Sequence, residues 1–203
     1  VSWSSLDHAI GWKTLHYHAR RFYLPLALAA RIDNGRFVLS GLNDTHTAVG
    51  IDARIRRIGL DGTVRDEETV TASLPRDRAV EMSSLVVPDE ADFFYLVEGR
   101  RAGTTDYDPS LRIVTFPDKF KRYDLPEATV QLAATAESGA FTLSADRTAF
   151  FVKPEASEFA GAFDDASFAL LPGETRTVRF RSFDGRMPGT ADVAVTHLAA
   201  TYR

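Results

Sequence analysis

Histidines are the side chains most readily recruited to metal binding and proton transfer, and this sequence has five of them. His16 and His18 lie two residues apart in a segment with helical spacing, so they point to different faces and cannot chelate one ion as an i, i+4 pair would. His8, His46 and His197 have no companion at ligand spacing. We therefore predict packing or surface roles for all five, with no metal site and no cofactor.

Two oxygen-rich segments could also bind or be modified. Asp164-Asp165 could contribute to a calcium site, but no loop of spaced oxygen ligands follows, so we predict none. Asn43-Asp44-Thr45 fits the glycosylation sequon. It also fits a turn that ends a strand, because Asn and Asp side chains hydrogen-bond their own backbone, and we predict the turn.

Composition excludes several classes of protein. The 203 residues are 44% hydrophobic and 26% charged, with a net charge of -4 and acidic and basic residues mixed along the chain. A nucleic-acid partner would require a clustered basic face, which is absent. No apolar run reaches the roughly 20 residues of a membrane span, and the lack of cysteine excludes disulfides and thiolate chemistry.

The opening of the chain predicts one helix. It begins without methionine and does not read as a signal peptide, so we expect a piece of a longer protein whose targeting segment lies upstream. From Trp12 to Tyr23 apolar residues recur at helical spacing, and Pro25 stops the pattern. Asp7 or a preceding serine could cap the first amides of this helix.

After Pro25 the period of the pattern changes to two, which predicts an all-β remainder. Asn34-Gly35 suits a hairpin turn between the strands 26–32 and 36–42. Five further alternating or apolar runs bring the number of short strands predicted before residue 117 to about seven, the number in an immunoglobulin-like sandwich. They lie around 51–55, 70–74, 79–87, 92–98 and 111–116.

A charged, proline-bounded stretch at residues 117–127 predicts a linker to a second domain. Six strands are predicted in that domain, at 129–134, 140–145, 149–153, 167–171, 175–183 and 192–202. Pro172-Gly173 is interpreted as a hairpin turn. In the strand 175–183 Arg176, Val178 and Phe180 share one face.

Both ends of the chain carry motifs of one known family. Residues 2–7 read SWSSLD, and residues 12–25 read WKTLHYHARRFYLP. Residues 150–156 read FFVKPEA, and residues 163–174 read FDDASFALLPGE. In order and spacing these segments resemble the C-terminal region of family 2 glycoside hydrolases of the β-mannosidase type. The middle of the chain fits by architecture alone.

The resemblance implies a mainly β fold in which an N-terminal helix from the end of a TIM barrel precedes two immunoglobulin-like β-sandwich domains. The implied domains are 1–25 for the end of the catalytic (β/α)8 barrel, 26–116 for the first sandwich, 117–127 for the linker and 128–203 for the last sandwich.

Two carboxyl groups about 5–5.5 Å apart perform the chemistry of a retaining glycosidase. The resemblance implies an acid/base residue after an Asn, yet Asn34 and Asn43 precede Gly35 and Asp44. The nucleophile motif of the family has its nearest counterpart in SEFAG at residues 157–161. We interpret Glu158 as a solvated loop residue, because the segment falls within the last sandwich.

The predicted function follows from these absences. The longer enzyme would release terminal β-linked mannose, whereas this chain alone would be an inactive accessory and scaffold region without catalytic residues. Trp3 is the one candidate site residue, at the rim of the substrate pocket of the parent enzyme, with packing of the barrel turn as the alternative.

The expected partners are the catalytic barrel of the same polypeptide and, through the parent enzyme, mannosides. A periplasmic or secreted location is favoured over a cytoplasmic one. Two other functions stay open, a stand-alone carbohydrate-binding pair of sandwiches and a protein-interaction sandwich. An exposed aromatic platform would favour the first, and a defined dimer with a large apolar interface would favour the second.

Overall fold

The computed structural model describes residues 4–6 and 11–202. Antiparallel β-strands form most of this part of the chain, which confirms the mainly β prediction. The chain divides into two compact units. The first sandwich unit spans Arg20–Asp124, and the second sandwich unit combines Val1–Ala19 with Leu125–Arg203. The predicted domain limits stay a prediction.

Helix α1 spans Thr14–Phe22, shorter at both ends than the prediction. Trp12 lies outside it because it forms a β-bridge with Leu6. The amide of Lys13 donates to the Ser5 carbonyl at 3.0 Å, which fixes the entry to the helix. Arg20 and Arg21 occupy the last turn, where cations complement the negative end of the helix dipole. No described helix is long and apolar enough to cross a membrane.

The first sandwich unit contains the seven predicted strands. They are β1 (Leu26–Asp33), β2 (Arg36–Asn43), β3 (Val49–Gly59), β4 (Val64–Leu74), β5 (Arg78–Val86), β6 (Phe93–Arg101) and β7 (Arg112–Thr115). They pair as two antiparallel sheets with the orders β1-β2-β5 and β4-β3-β6-β7. Asn34 and Gly35 both have positive φ, 49° and 73°, as a type I′ hairpin turn requires.

Alternation along β3 gives that strand one buried face, whereas β6 is buried on both faces over most of its length. Ile51, Ala53 and Ile55 are almost inaccessible, whereas the residues between them are half-buried. The Phe37 ring of β2 stacks on Tyr95 of β6 with centroids 4.2 Å apart. The two sheets therefore share one core.

The second sandwich unit also has seven strands. They are β8 (Val130–Ala134), β9 (Ala140–Ala145), β10 (Ala149–Glu155), β11 (Gly161–Phe163), β12 (Phe168–Leu170), β13 (Thr175–Ser182) and β14 (Ala194–Thr196). Their sheets have the orders β11-β13-β9-β8 and β12-β10-β14. Val178 and Phe180 of β13 are buried and Arg176 is half-buried, as the predicted shared face requires.

Three details of the second sandwich unit differ from the prediction. Strand β11 was not predicted, because three residues are too few to show a period. The predicted strand 192–202 is wrong, since only β14 pairs, opposite Pro154, and short 3₁₀ turns flank it. The Pro172-Gly173 turn is not a hairpin, because β12 pairs with β10 whereas β13 pairs with β9 and β11. It carries the chain from one sheet to the other.

Candidate functional site

A cleft of about 380 Å³ opens in the second sandwich unit. Its walls are the end of β10, the loop 156–160 that leads to β11, and the turn 184–186 that follows β13. Trp12 and Tyr17 line it from the N-terminal segment. The cleft is at the small end of the range for ligand pockets, about 300–1,000 Å³.

Aromatic side chains line part of this cleft. Tyr17 is buried, and the Trp12 ring lies against it with centroids 5.5 Å apart. Phe159 packs edge-on against the buried Phe180 at 6.4 Å. The amide of Phe159 donates to the Ala156 carbonyl at 3.0 Å, so a tight turn holds the ring in place. Contact with the core therefore fixes these rings.

Charged side chains surround the aromatic ones. Lys153 Nζ lies 3.1 Å from Glu155 Oε2. The Arg186 guanidinium lies 4.9 Å from the centroid of the Phe159 ring and 4.0 Å from Asp184 Oδ2. A lysine and an arginine thus each lie beside a carboxylate at the cleft.

Asp184 is held as an anion. The amide of Arg186 and the hydroxyl of Ser182 each donate to its Oδ1 at 3.0 Å. These hydrogen bonds lower the pKa of the Asp184 carboxyl from its usual value of 3.8. A general acid requires the opposite shift.

Glu158 lies where the sequence placed it, in the exposed loop between β10 and β11. It shares the cleft with Glu155 and Asp184. Glu155 forms an ion pair with Lys153, and hydrogen bonds lower the pKa of the Asp184 carboxyl. The cleft therefore presents hydrogen-bond acceptors and donors on charged side chains.

The helix histidines pack, as predicted. His18 Nε2 lies 2.9 Å from the Ser167 hydroxyl, and its ring contacts Phe151 with centroids 5.9 Å apart. Both Phe151 and Ser167 have positive φ, 54° and 59°, an uncommon conformation that the surrounding contacts must hold. The His16 ring lies 4.3 Å from that of Trp12. The contacts of His18 attach the first part of α1, up to Ala19, to the β-structure of the second sandwich unit.

The remaining histidines differ in their environments. His46 is exposed, and His197 has a buried Nδ1 atom without a hydrogen-bond partner in the structure. Within residues 4–6 and 11–202 no group of three or more His, Cys, Asp and Glu side chains is placed to hold a metal ion. Trp3, Asp7 and His8 lie outside the described residues, so the rim role of Trp3, the capping role of Asp7 and the packing or surface role of His8 stay predictions.

Asn43 is part of a turn, as predicted for the sequon. It is fully buried, and its amide nitrogen donates to the carbonyls of Thr47, Leu74 and Pro75 at 2.9, 2.9 and 3.2 Å. Its Oδ1 accepts the amide hydrogen of Thr45 at 2.9 Å. An amide nitrogen with this burial is not accessible for glycosylation.

Asp164 and Asp165 also have structural partners. Asp164 Oδ1 accepts the amide hydrogen of Arg179 at 2.8 Å. Asp165 forms an ion pair with Arg176, whose guanidinium stacks on Phe168 at 4.5 Å. These contacts fix the loop between β11 and β12 against β13.

Sequence reasoning did not find the cleft. Its aromatic residues Trp12 and Phe159 are far apart in sequence and follow different local patterns. The one available indication was the run Ser157-Glu158-Phe159, which combines two polar side chains and an aromatic one in a predicted loop.

The sequence is similar to known proteins of one kind, over its last part and over almost its whole length. Residues 124–201 match the family model of the mannosidase Ig-fold domain. The chain is 24% identical over 218 residues to the β-mannosidase of Capra hircus, an alignment that covers 99% of this chain and 24% of that protein. A 45-residue stretch is 47% identical to the β-mannosidase of Mus musculus and covers 22% of this chain and 5% of that protein. The chain is related to the C-terminal region of β-mannosidases.

Solved structures agree in fold with this relationship. The β-mannosidase of Dictyoglomus thermophilum matches 97% of the chain, and 24% of its own length, with a TM-score of 0.78 at 19% identity. An exo-chitosanase of Amycolatopsis orientalis matches 96% of the chain, and 28% of its own length, with a TM-score of 0.68 at 19% identity. The chain thus spans about a quarter of the length of its β-mannosidase relatives. The resemblance predicted from the sequence is confirmed.

Proposed function

We propose that this chain is a non-catalytic accessory and scaffold region of a β-mannosidase-like glycoside hydrolase. The alignment of almost the whole chain with about a quarter of a β-mannosidase carries this proposal. The longer polypeptide would release terminal β-linked mannose, and the chain alone would not. The lowered pKa of the Asp184 carboxyl supports this division, because glycoside hydrolysis requires one carboxyl group that holds a proton.

A surface of α1 supports the scaffold part of the proposal. Leu15 and Phe22 are seven residues apart, on one face of the helix, and their exposed fractions are 52% and 56%. Exposed apolar side chains grouped on one face mark an interaction surface. We assign this face to the catalytic barrel of the same polypeptide. Burial of each side chain there would contribute about 1.5–3 kcal/mol.

Turnover of an aryl β-mannoside tests the non-catalytic assignment. The purified chain should hydrolyse it no faster than a Glu158→Gln variant or buffer alone. Turnover by the chain that disappears in Glu158→Gln would contradict the proposal.

The helix face is tested in the longer polypeptide. Leu15→Asp together with Phe22→Asp should lower its melting temperature and soluble yield, because the charges would enter an apolar interface. Thr14→Asp adds one negative charge, against two in the double variant, at an exposed position of the same helix and serves as the control. Equal melting temperatures for the double variant and the control would refute an interface on this face.

A further inference from the structure

We propose that the cleft of the second sandwich unit binds one sugar ring of a neutral oligosaccharide, as a non-catalytic subsite. The inference rests on the proposed function only for the kind of sugar, a β-linked mannoside. The ligand class itself follows from three properties of the cleft: its balance of charge, its unused hydrogen-bonding groups and its aromatic surfaces.

The charges in the cleft favour a neutral ligand. Three carboxylates, on Glu155, Glu158 and Asp184, line it together with the cations of Lys153 and Arg186. An anionic ligand would be opposed by the carboxylates, and a cationic ligand would be opposed by the two basic groups. A neutral polyol is opposed by neither, because each hydroxyl group can donate one hydrogen bond and accept others.

Hydrogen-bonding groups of both kinds are still available around the cleft. Within the described structure, the exposed side chains of Ser157 and Glu158 form no hydrogen bond or ion pair. The Arg186 side chain is 62% exposed, and its nearest carboxylate oxygen is 4.0 Å away, so N–H donors remain free to bind a ligand. Acceptors and donors that line the same cleft suit sugar hydroxyls, because each hydroxyl both donates and accepts hydrogen bonds.

The aromatic side chains of the cleft suit the apolar faces of a sugar ring. A pyranose presents C–H groups on its faces and hydroxyls at its edge, so it packs best where apolar rings lie beside polar groups. Trp12 and Phe159 are half-buried and line the same cleft as these polar groups.

The walls of the cleft are held in register. The amide of Phe183 donates to the carbonyl of Ala160 at 2.8 Å, which continues the β11–β13 pairing to the base of the turn 184–186. The hydrogen bonds to Asp184 then fix that turn. A ligand would therefore meet preorganised groups, which lowers the ordering cost of binding.

Titration of the ¹⁵N-labelled chain with β-1,4-mannobiose, followed by NMR, tests the inference. Saturable shifts should be confined to the neighbourhood of residues 12–17, 153–161 and 184–186. Glu158→Gln should weaken binding by about tenfold, as expected for loss of one charge-assisted hydrogen bond. Glu137→Gln, an exposed carboxylate of the same unit outside the cleft, should leave the affinity unchanged.

Each outcome decides a separate point. Absence of saturable binding, saturation by citrate in place of sugar, or equal affinities for the two variants would overturn the subsite. If cellobiose binds at these residues and mannobiose does not, the cleft is a sugar site, but the proposal that its ligand is a mannoside is wrong. Absence of binding in a chain that also lacks aryl-mannoside turnover would leave the accessory function standing and remove only the subsite.

Discussion

The most informative perturbation is Glu98→Gln in the first sandwich unit. The Glu98 side chain on β6 is only 9% exposed, and one of its oxygens lies 2.6 Å from both Arg54 Nη2 and Arg56 Nη2. Arg112 Nη1 lies 3.4 Å from the other oxygen. One buried carboxylate therefore pairs with three guanidinium groups from β3 and β7. The substitution keeps the shape of the side chain and removes its charge.

The expected loss is about 3 kcal/mol in the free energy of unfolding. Removal of one partner from a buried ion pair costs about 3–5 kcal/mol. The lower end of this range applies because the three arginine side chains are 12–28% exposed, so water screens part of the repulsion between them. In a unit of this size that loss corresponds to a decrease of about 12–24 °C in melting temperature.

The effect should also depend on pH. Burial by itself would raise the pKa of Glu98, but the hydrogen bond from Arg54 and the charges of Arg112 and Arg56 outweigh it, so the pKa is lowered from 4.5. A lowered pKa stabilises the folded state above the unfolded value of 4.5, and this stabilisation is lost as pH falls through the folded value. The difference between wild type and Glu98→Gln should therefore shrink below about pH 4.5.

Hydrogen exchange of β3 and β6 during urea unfolding measures this difference. Tryptophan fluorescence would not, since Trp3 and Trp12 both belong to the other unit. Glu81→Gln, an exposed position on β5, is the matched control and should change stability by less than about 0.5 kcal/mol. Equal stabilities of the two variants at pH 7, or a difference between wild type and Glu98→Gln that does not decrease from pH 7 to pH 3, would refute the reasoning.

Three backbone-related positions give further predictions, all measurable by thermal and urea unfolding. Asn43→Ala should cost about 3 kcal/mol because three carbonyls lose their donor, and a change below 1 kcal/mol would contradict this role. Gly161→Ala should destabilise by about 1–3 kcal/mol, since the new Cβ would meet the Phe180 ring at 2.4 Å, whereas Gly189→Ala has room and should be neutral. Gly35→Ala should cost about 1 kcal/mol because its φ is +73°, and an unchanged midpoint would argue against the type I′ turn.

The sequence predicted those parts of the fold that depend on local chemistry. Asn34-Gly35 specifies its turn through the backbone freedom of two residues, and the alternation at Ile51, Ala53 and Ile55 repeats often enough to identify a half-buried strand. The arginine network was not predicted, although Glu98 lies in a predicted strand. Its three partners come from β3 and β7, and only the sheet order brings them together.

Errors in the second sandwich unit have a common cause. Pro172-Gly173 resembles a hairpin turn locally, but tertiary pairing decides which sheet receives the next strand. Residues 192–202 are apolar enough for a long strand, yet only three of them form a strand ladder with β10. The cleft likewise depends on contacts between Trp12, Phe159 and Arg186, whose separation in sequence leaves no periodic pattern.

Because the second sandwich unit is divided between two stretches of chain, it cannot fold completely until late in its synthesis on the ribosome. Its early stretch, up to Ala19, emerges before the 105 residues of Arg20–Asp124 and long before Ser167, the hydrogen-bond partner of His18. At about 5–20 residues per second, translation of the intervening stretch alone takes roughly 5–20 s. The contiguous unit can close its core in that interval, whereas α1 must wait for a distant partner. Nascent chains stalled at a length that exposes residues up to Asp124, but not Ser167, outside the ribosome should therefore protect the first sandwich from protease and leave the His18 segment open to cleavage.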